Sequence, residues 1–137
     1  MAIISTKGTY ALNALLELAK QYPDNLLQIK QITKSTQIPK NYLEQILFLL
    51  KNGGFIESVR GANGGYRLTI APKALLVSDV LCFLEGDFYK AKTLDNSDFV
   101  NNYLDSISAE ILALFDTPLS TLLDKWNQTN QIGTYSI

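Results

Sequence analysis

Apolar and polar positions follow a helical period through the first third of the chain. The pattern predicts a first helix capped by Ser5 or Thr6, a short second helix over about residues 28–34, and a third helix that opens at Ile38 and Pro39. The third helix has an apolar face of Leu43, Ile46, Leu47 and Leu50 and a polar face of Lys40, Asn41, Glu44 and Gln45. Two helices joined by a short turn, the second with a long polar face, form the layout of a helix-turn-helix.

The period changes from helical to alternating after the third helix. Residues 55–59 and 66–70 alternate apolar and polar side chains, and the segment between them reads Arg60-Gly61-Ala62-Asn63-Gly64-Gly65. This pattern predicts a β-hairpin with a glycine-rich tip, and a hairpin directly after a helix-turn-helix is the wing of a winged-helix domain. Arg60 beside such small residues fits close approach to a narrow groove of DNA.

Helical spacing returns in the second half. A helix is predicted from Val77 to Gly86, with Val80, Phe83 and Leu84 in its apolar stripe, and an aperiodic connector follows over residues 87–96. The next helix, capped by Ser97, has apolar positions spaced 4, 3, 4, 3, as in a coiled-coil dimer seam. The seam residues are Val100, Leu104, Ile107, Ile111 and Leu114.

Thr117 and Pro118 interrupt this long helix and start a closing helix, which is predicted to end near Trp126 before a frayed polar tail. The predicted fold is therefore mainly α with a small β-hairpin wing. Residues 1–86 form a winged helix-turn-helix domain, and residues 87–137 form the connector, the long dimerisation helix and the closing helix.

Charge is distributed unevenly between the two halves of the chain. The 137 residues have a net charge of -1, but residues 1–76 hold nine Lys or Arg against four acids (+5), and residues 77–137 hold three Lys against nine acids (-6). A basic half beside an acidic half indicates that the first binds a polyanion.

Cysteine and histidine content narrows the chemistry. The chain has one cysteine, Cys82, and no histidine, so a disulfide within the chain, a Cys/His zinc site and a Ser-His-Asp or Cys-His catalytic site are excluded. We expect no enzyme activity. No apolar run approaches the roughly 20 residues of a membrane span, and no secretion signal is present, so a cytoplasmic protein without membrane contact is expected.

Four motifs resemble one family when read together and in order. They are SxKGxYALxALLELA from Ser5, IPKNYLEQIL from Ile38, RGANGGYRL from Arg60 and VSDVLCFLEG from Val77. These residues closely resemble the Rrf2 family of bacterial winged-helix transcription regulators, over residues 2–86 and again in the closing helix.

The resemblance implies a homodimer that binds a palindromic operator in double-stranded DNA, and we expect this regulator to be a repressor. Carried over by position, Asn41, Glu44 and Gln45 correspond to base-reading residues. Arg60 and Gly61 correspond to the contact with the minor groove, and the phosphate contacts correspond to Ser5, Lys7 and Lys40.

The connector departs from the family members that carry an iron-sulfur cluster. Those members place three cysteines there, whereas residues 87–96 of this chain contain none. The expected cofactor is therefore none, and the chain is similar to the clusterless, CymR-like branch, in which the effector is a small molecule, a protein or a thiol.

Two alternatives stay open at this point. A protein-interaction module could reuse the winged-helix scaffold without binding DNA. A redox-sensing regulator could use Cys82, although free cysteine is usually a buried, inert residue and the charged residues nearest in sequence are acidic.

Overall fold

The structure, a computed structural model, describes residues 2–91 and 98–135. Six helices and one two-stranded antiparallel sheet make up this part of the chain, as a mainly α fold with a β wing predicts. The elements are α1 (Thr6–Gln21), α2 (Ile29–Thr36), α3 (Lys40–Asn52), β1 (Ile56–Val59), β2 (Gly65–Leu68), α4 (Val77–Glu85), α5 (Asp98–Phe115) and α6 (Leu119–Tyr135).

The first three helices pack as the apolar pattern predicts. In α3, Leu43, Ile46, Leu47 and Leu50 are buried against α1 and α2, because their spacing keeps all four on one face. Ser5 is the N-cap of α1 and its side chain accepts a hydrogen bond from the Gly8 N–H.

The turn between α2 and α3 begins two residues later than the sequence indicates. Helix α2 includes Ser35 and Thr36, which the polar pattern had placed in the turn, and the Gln37 N–H still donates to the Thr33 carbonyl at 2.8 Å. The Thr36 hydroxyl donates to the Ile32 carbonyl at 2.7 Å. Gln37 then adopts a left-handed conformation with φ 62°, and Pro39 is the N-cap of α3.

The wing is the antiparallel pair β1 and β2, in which Ile56 faces Leu68 and Val59 faces Gly65. Both strands are shorter than predicted. Phe55 lies before β1 and residues 69 and 70 lie beyond β2, and the Thr69 N–H donates to the Phe55 carbonyl at the base of the hairpin.

The expected apolar stripe of α4 was partly wrong. Phe83 is 48% exposed, while Val77, Val80, Leu81 and Leu84 are buried. These four positions keep the i, i+3, i+4, i+7 spacing, so Phe83 falls on the flank of the helix, where its ring packs edge-on against Phe55 at 5.6 Å.

Helix α6 returns to the first helix. Leu119 is buried in the shared core, and its N–H donates to the Leu75 carbonyl at 2.7 Å. Further along, Lys20 of α1 lies 3.6 Å from the centre of the Trp126 ring. The helix continues to Tyr135, so the prediction of a frayed tail from residue 127 was wrong over this range. The last part of α6 is helical without an apolar face, so a prediction from apolar spacing could not detect it.

Helix α5 has 18 residues, of which only Ser108 is buried. The predicted cap at Ser97 lies outside the described residues. No helix in the described ranges is both long enough and apolar enough to span a membrane.

Candidate nucleic-acid interface

A groove of about 820 Å³ lies between α2, α3 and the tip of the wing. Its lining includes four cationic side chains and one carboxylate, together with hydroxyl and backbone groups. The charged residues are Lys30 and Lys34 of α2, Lys40 and Glu44 of α3, and Arg60 of the wing. Cations on three converging elements give this surface the potential that attracts a polyanion.

The wing is fixed against the start of α2 by backbone pairing. Leu27 and Tyr66 exchange two hydrogen bonds, at 3.0 Å and 2.7 Å, and Gln28 donates to the Ala62 carbonyl at 3.3 Å. Gly65 permits this approach, because a Cβ atom there would lie 2.6 Å from the Leu27 carbonyl oxygen. The position of Arg60 relative to α2 is therefore set by β2 and not by the tip alone.

Arg60 is the cation of the wing that remains available to contact DNA, because the other arginine of the wing is paired with a carboxylate. The Arg67 Nε atom lies 2.6 Å from a carboxylate oxygen of Glu57 across the hairpin. Arg60 is exposed next to Gly61 and has no acidic partner among the described residues. Of the two arginines in the chain, Arg60 is thus the one free to contact an anion outside the protein.

Helix α3 presents its predicted polar face to solvent. Lys40 lies 4.0 Å from Glu44 one turn along, with side-chain exposures of 72% and 50%, so this pair is weak and both groups stay accessible. Asn41 and Gln45 are exposed on the adjacent stripe of the same helix, outside the lining of the groove.

The N-terminus of α1 lies apart from the groove. Tyr10 packs edge-on against Tyr42 of α3 at 5.7 Å, which places the first half of α1 beside the start of α3. Ser5 donates its hydroxyl to Glu85 Oε1 and its N–H to the same oxygen at 3.1 Å. The Ser5 hydroxyl therefore already has a partner, and Lys7, half-buried in the first turn, is the cation at this end.

The sequence analysis did not identify Lys30 and Lys34 as candidate DNA contacts. They stand at i and i+4 on the face of α2 opposite the buried Ile32, with Thr33 between them. The signal was available in the chain as a Lys-x-x-x-Lys spacing on an amphipathic helix. The first helix of a helix-turn-helix crosses the DNA backbone, so cations on this face suit phosphates.

Cys82 is a half-buried free thiol of α4. Burial, followed by the carboxylates of Asp87 and Asp79, raises the pKa of the Cys82 thiol, and Lys90 opposes this weakly. A reactive sensor cysteine needs a lowered pKa, so this environment disfavours the redox alternative.

The predicted seam forms one stripe along α5. Val100 is 50% exposed and Leu114 is 76% exposed, while Leu104, Ile107 and Ile111 are half-buried. In a single copy of the chain, this apolar stripe is therefore partly exposed to solvent along a helix about 27 Å long.

Comparison with known proteins agrees with this arrangement. The profile of the Rrf2 family, described as an iron-dependent transcriptional regulator, matches residues 4–127. The chain belongs to the Rrf2 family. It is similar to the HTH-type transcriptional regulator CymR of Bacillus subtilis, with 35% identity over 82% of this chain and 90% of that protein. It is also similar to NsrR of Bacillus licheniformis, with 38% identity over 58% of this chain and 55% of that protein.

Solved structures of Rrf2 proteins share the fold. The structure of CymR, the global cysteine regulator of B. subtilis, superposes with a TM-score of 0.80 at 32% identity, over 91% of this chain and 98% of that one. The resemblance seen in the four motifs, including its CymR-like branch, is thereby confirmed. This Rrf2 protein is a DNA-binding transcriptional regulator, and its family is one of regulators and not of enzymes.

The residues present do not fit an iron-sulfur cluster. Such clusters are held by thiolates, and Cys82 is the only thiol in the chain. Across residues 2–91 and 98–135, no group of three or more His, Cys, Asp or Glu side chains could hold a metal ion.

Proposed function

We propose that this Rrf2 protein is a homodimeric repressor that binds a palindromic operator without an iron-sulfur cluster, in the bacterial cytoplasm where the DNA lies. The observation that carries the proposal is the basic groove, where α2, α3 and the wing bring together Lys30, Lys34, Lys40 and Arg60 around Glu44. Four cations on three elements that converge on one concave surface match the backbone of a duplex.

The exposed face of α3 reads the bases. Asn41 and Gln45 have amides that can bond adenine edges, and the Glu44 carboxylate can accept from the amino group of cytosine. Glu44 discriminates most strongly, because a carboxylate close to phosphates is repelled unless it finds a donor on a base. Arg60, beside Gly61, inserts into the adjacent minor groove.

Phosphates are held around this reading face. Lys30 and Lys34 on α2 and Lys40 at the start of α3 contact the backbone, and Lys7 does so from the first turn of α1. Ser5 contributes by fixing the N-terminus of α1 to the end of α4, because its hydroxyl is already bonded to Glu85.

The homodimer forms through α5. Two copies that cross along the stripe of Val100, Leu104, Ile107, Ile111 and Leu114 cover apolar side chains that one copy leaves exposed. A two-fold axis between the chains presents two α3 helices to half-sites about one helical turn apart or a multiple of it. As a repressor, such a dimer would block access to the promoter at which it binds. The signal that releases it is a small molecule or a protein.

The test is selection of bound duplexes from a random DNA pool by the full chain and by Glu44→Ala. We expect the wild-type protein to enrich an inverted repeat, and the variant to lose base preference at one position in each half-site. Retention of the full preference by Glu44→Ala would refute the base-reading role, and failure of the wild type to enrich any sequence would refute the proposed function.

A further inference from the structure

Phe48 is an aromatic side chain that the proposed contacts do not use. It lies on α3 and is 64% exposed, although most of the apolar side chains of this helix are buried. Burial of a Phe side chain stabilises a fold, so its exposure needs an explanation.

Phe48 stands in line with the base-reading residues. Asn41, Gln45 and Phe48 occupy positions i, i+4 and i+7, which fall on one stripe of a helix, and all three are exposed. Seven residues of helix rise about 10 Å, which corresponds to about three base-pair steps of a duplex. A helix that places Asn41 on one base edge therefore carries the Phe48 ring a few base pairs along the same groove.

The neighbours of Phe48 argue against a protein as its occupant. The side chains one turn away in either direction along α3 are all polar, namely Glu44, Gln45, Lys51 and Asn52. A docking surface for a protein requires a contiguous apolar patch, whereas a lone ring within a polar stripe suits a small apolar group presented among polar ones.

The major groove offers such a group at one base alone. Thymine presents a C5-methyl beside its O4 acceptor, and Phe is among the side chains that contact it. We infer that Phe48 reads the methyl group of one thymine in each half-site, next to the bases read by Gln45 and Glu44. This inference rests on the proposed binding of α3 in the major groove and assigns one further specificity-determining residue to it.

The test removes the methyl group and the ring separately. In the operator that the wild-type protein selects, each thymine of one half-site is replaced in turn by deoxyuridine, which lacks only the C5-methyl. Affinities are then measured for the wild type and Phe48→Ala. At one position we expect deoxyuridine to weaken wild-type binding about fourfold, the cost of exposing one methyl group, and to leave Phe48→Ala binding unchanged.

Lys34→Ala is the matched control, because loss of a phosphate contact should weaken binding to both operators equally and keep the fourfold ratio. The inference is overturned if no position shows a methyl effect that depends on Phe48, or if the selected half-site has no thymine. It is also overturned if Phe48→Ala changes the oligomeric state while every methyl effect persists, since Phe48 would then contact a second copy. Absence of any DNA binding by the wild type would instead refute the proposed function.

Discussion

The clearest energetic prediction concerns a buried hydroxyl in the wall of the basic groove. Thr33 Oγ1 is buried and has no hydrogen-bond partner in the described part of the chain, whereas Thr36, three residues along the same helix, has two. The Thr36 hydroxyl is therefore hydrogen-bonded, whereas the Thr33 hydroxyl is not. Replacement of each by valine removes the hydroxyl at nearly constant volume.

The magnitudes follow from hydrogen bonding. An unsatisfied buried polar group costs about 1 to 3 kcal/mol, so Thr33→Val is expected to raise the free energy of unfolding by about 1 kcal/mol. This corresponds to a rise in Tm of about 3 to 5 °C for a chain of this size. In Thr36→Val the donor to the Ile32 carbonyl and the acceptor of the Ile38 N–H are both lost, and we expect a decrease of about 1 to 2 kcal/mol.

These changes are measured by urea denaturation of the wild type and both variants. All three proteins are compared at one protomer concentration, because the stability of a dimer depends on concentration. Operator affinity should be the same for Thr33→Val as for the wild type, because the hydroxyl faces inward. The reasoning is refuted if Thr33→Val is less stable than the wild type or if both variants shift in the same direction. A loss of operator affinity in Thr33→Val would show that its hydroxyl turns outward to a phosphate.

Three further predictions concern the cap, the thiol and the seam. Ser5→Ala should lower the free energy of unfolding by about 1 to 2 kcal/mol through loss of the α1 cap and of the bond to Glu85, with operator affinity changed less than twofold; a larger loss of affinity would give Ser5 a direct phosphate contact. The Cys82 thiol should react with iodoacetamide at a pH midpoint above that of a free cysteine, since burial and acidic neighbours raise its pKa, and an equal or lower midpoint would contradict this environment. Leu114→Asp should shift sedimentation toward the monomer with the same helical content by circular dichroism, because Leu114 is 76% exposed in one chain; a dimer of unchanged stability would remove Leu114 from the interface.

Local pattern predicted the elements because it reflects periodicity and turn chemistry directly. The apolar face of α3, the hairpin and the long α5 all follow from spacing, and the four motifs located the family. The sequence analysis did not place Phe83 correctly, because neighbouring residues of α4 are equally apolar and the sequence does not indicate which set with helical spacing faces the core.

The composition of the groove could be predicted only in part. Lys40, Glu44, Arg60 and Gly61 line it as a helix-turn-helix with a wing implies. Lys30 and Lys34 join them because Leu27 pairs with Tyr66 and holds the wing beside α2, a long-range contact that no local pattern encodes.

Tertiary contacts also changed the reading of Ser5. Its hydroxyl is bonded to Glu85, 80 residues along the chain, and that separation hides the contact from any reading of neighbouring residues. The resemblance gives Ser5 as a phosphate ligand, and the bond to Glu85 is the reason we propose that Ser5 supports the N-terminus of α1 instead.

The salt dependence of operator affinity tests the central claim most directly, namely that the groove between α2, α3 and the wing holds DNA. For the wild type and for Lys30→Ala/Lys34→Ala, the logarithm of affinity is plotted against the logarithm of salt concentration. Each phosphate contact contributes about -0.9 to the slope, and the double variant removes two contacts from each protomer of the proposed dimer, so its slope should be less negative by about 3.6. Lys125→Ala, a substitution on the exposed face of α6, should keep the wild-type slope. An unchanged slope in the double variant would contradict the account.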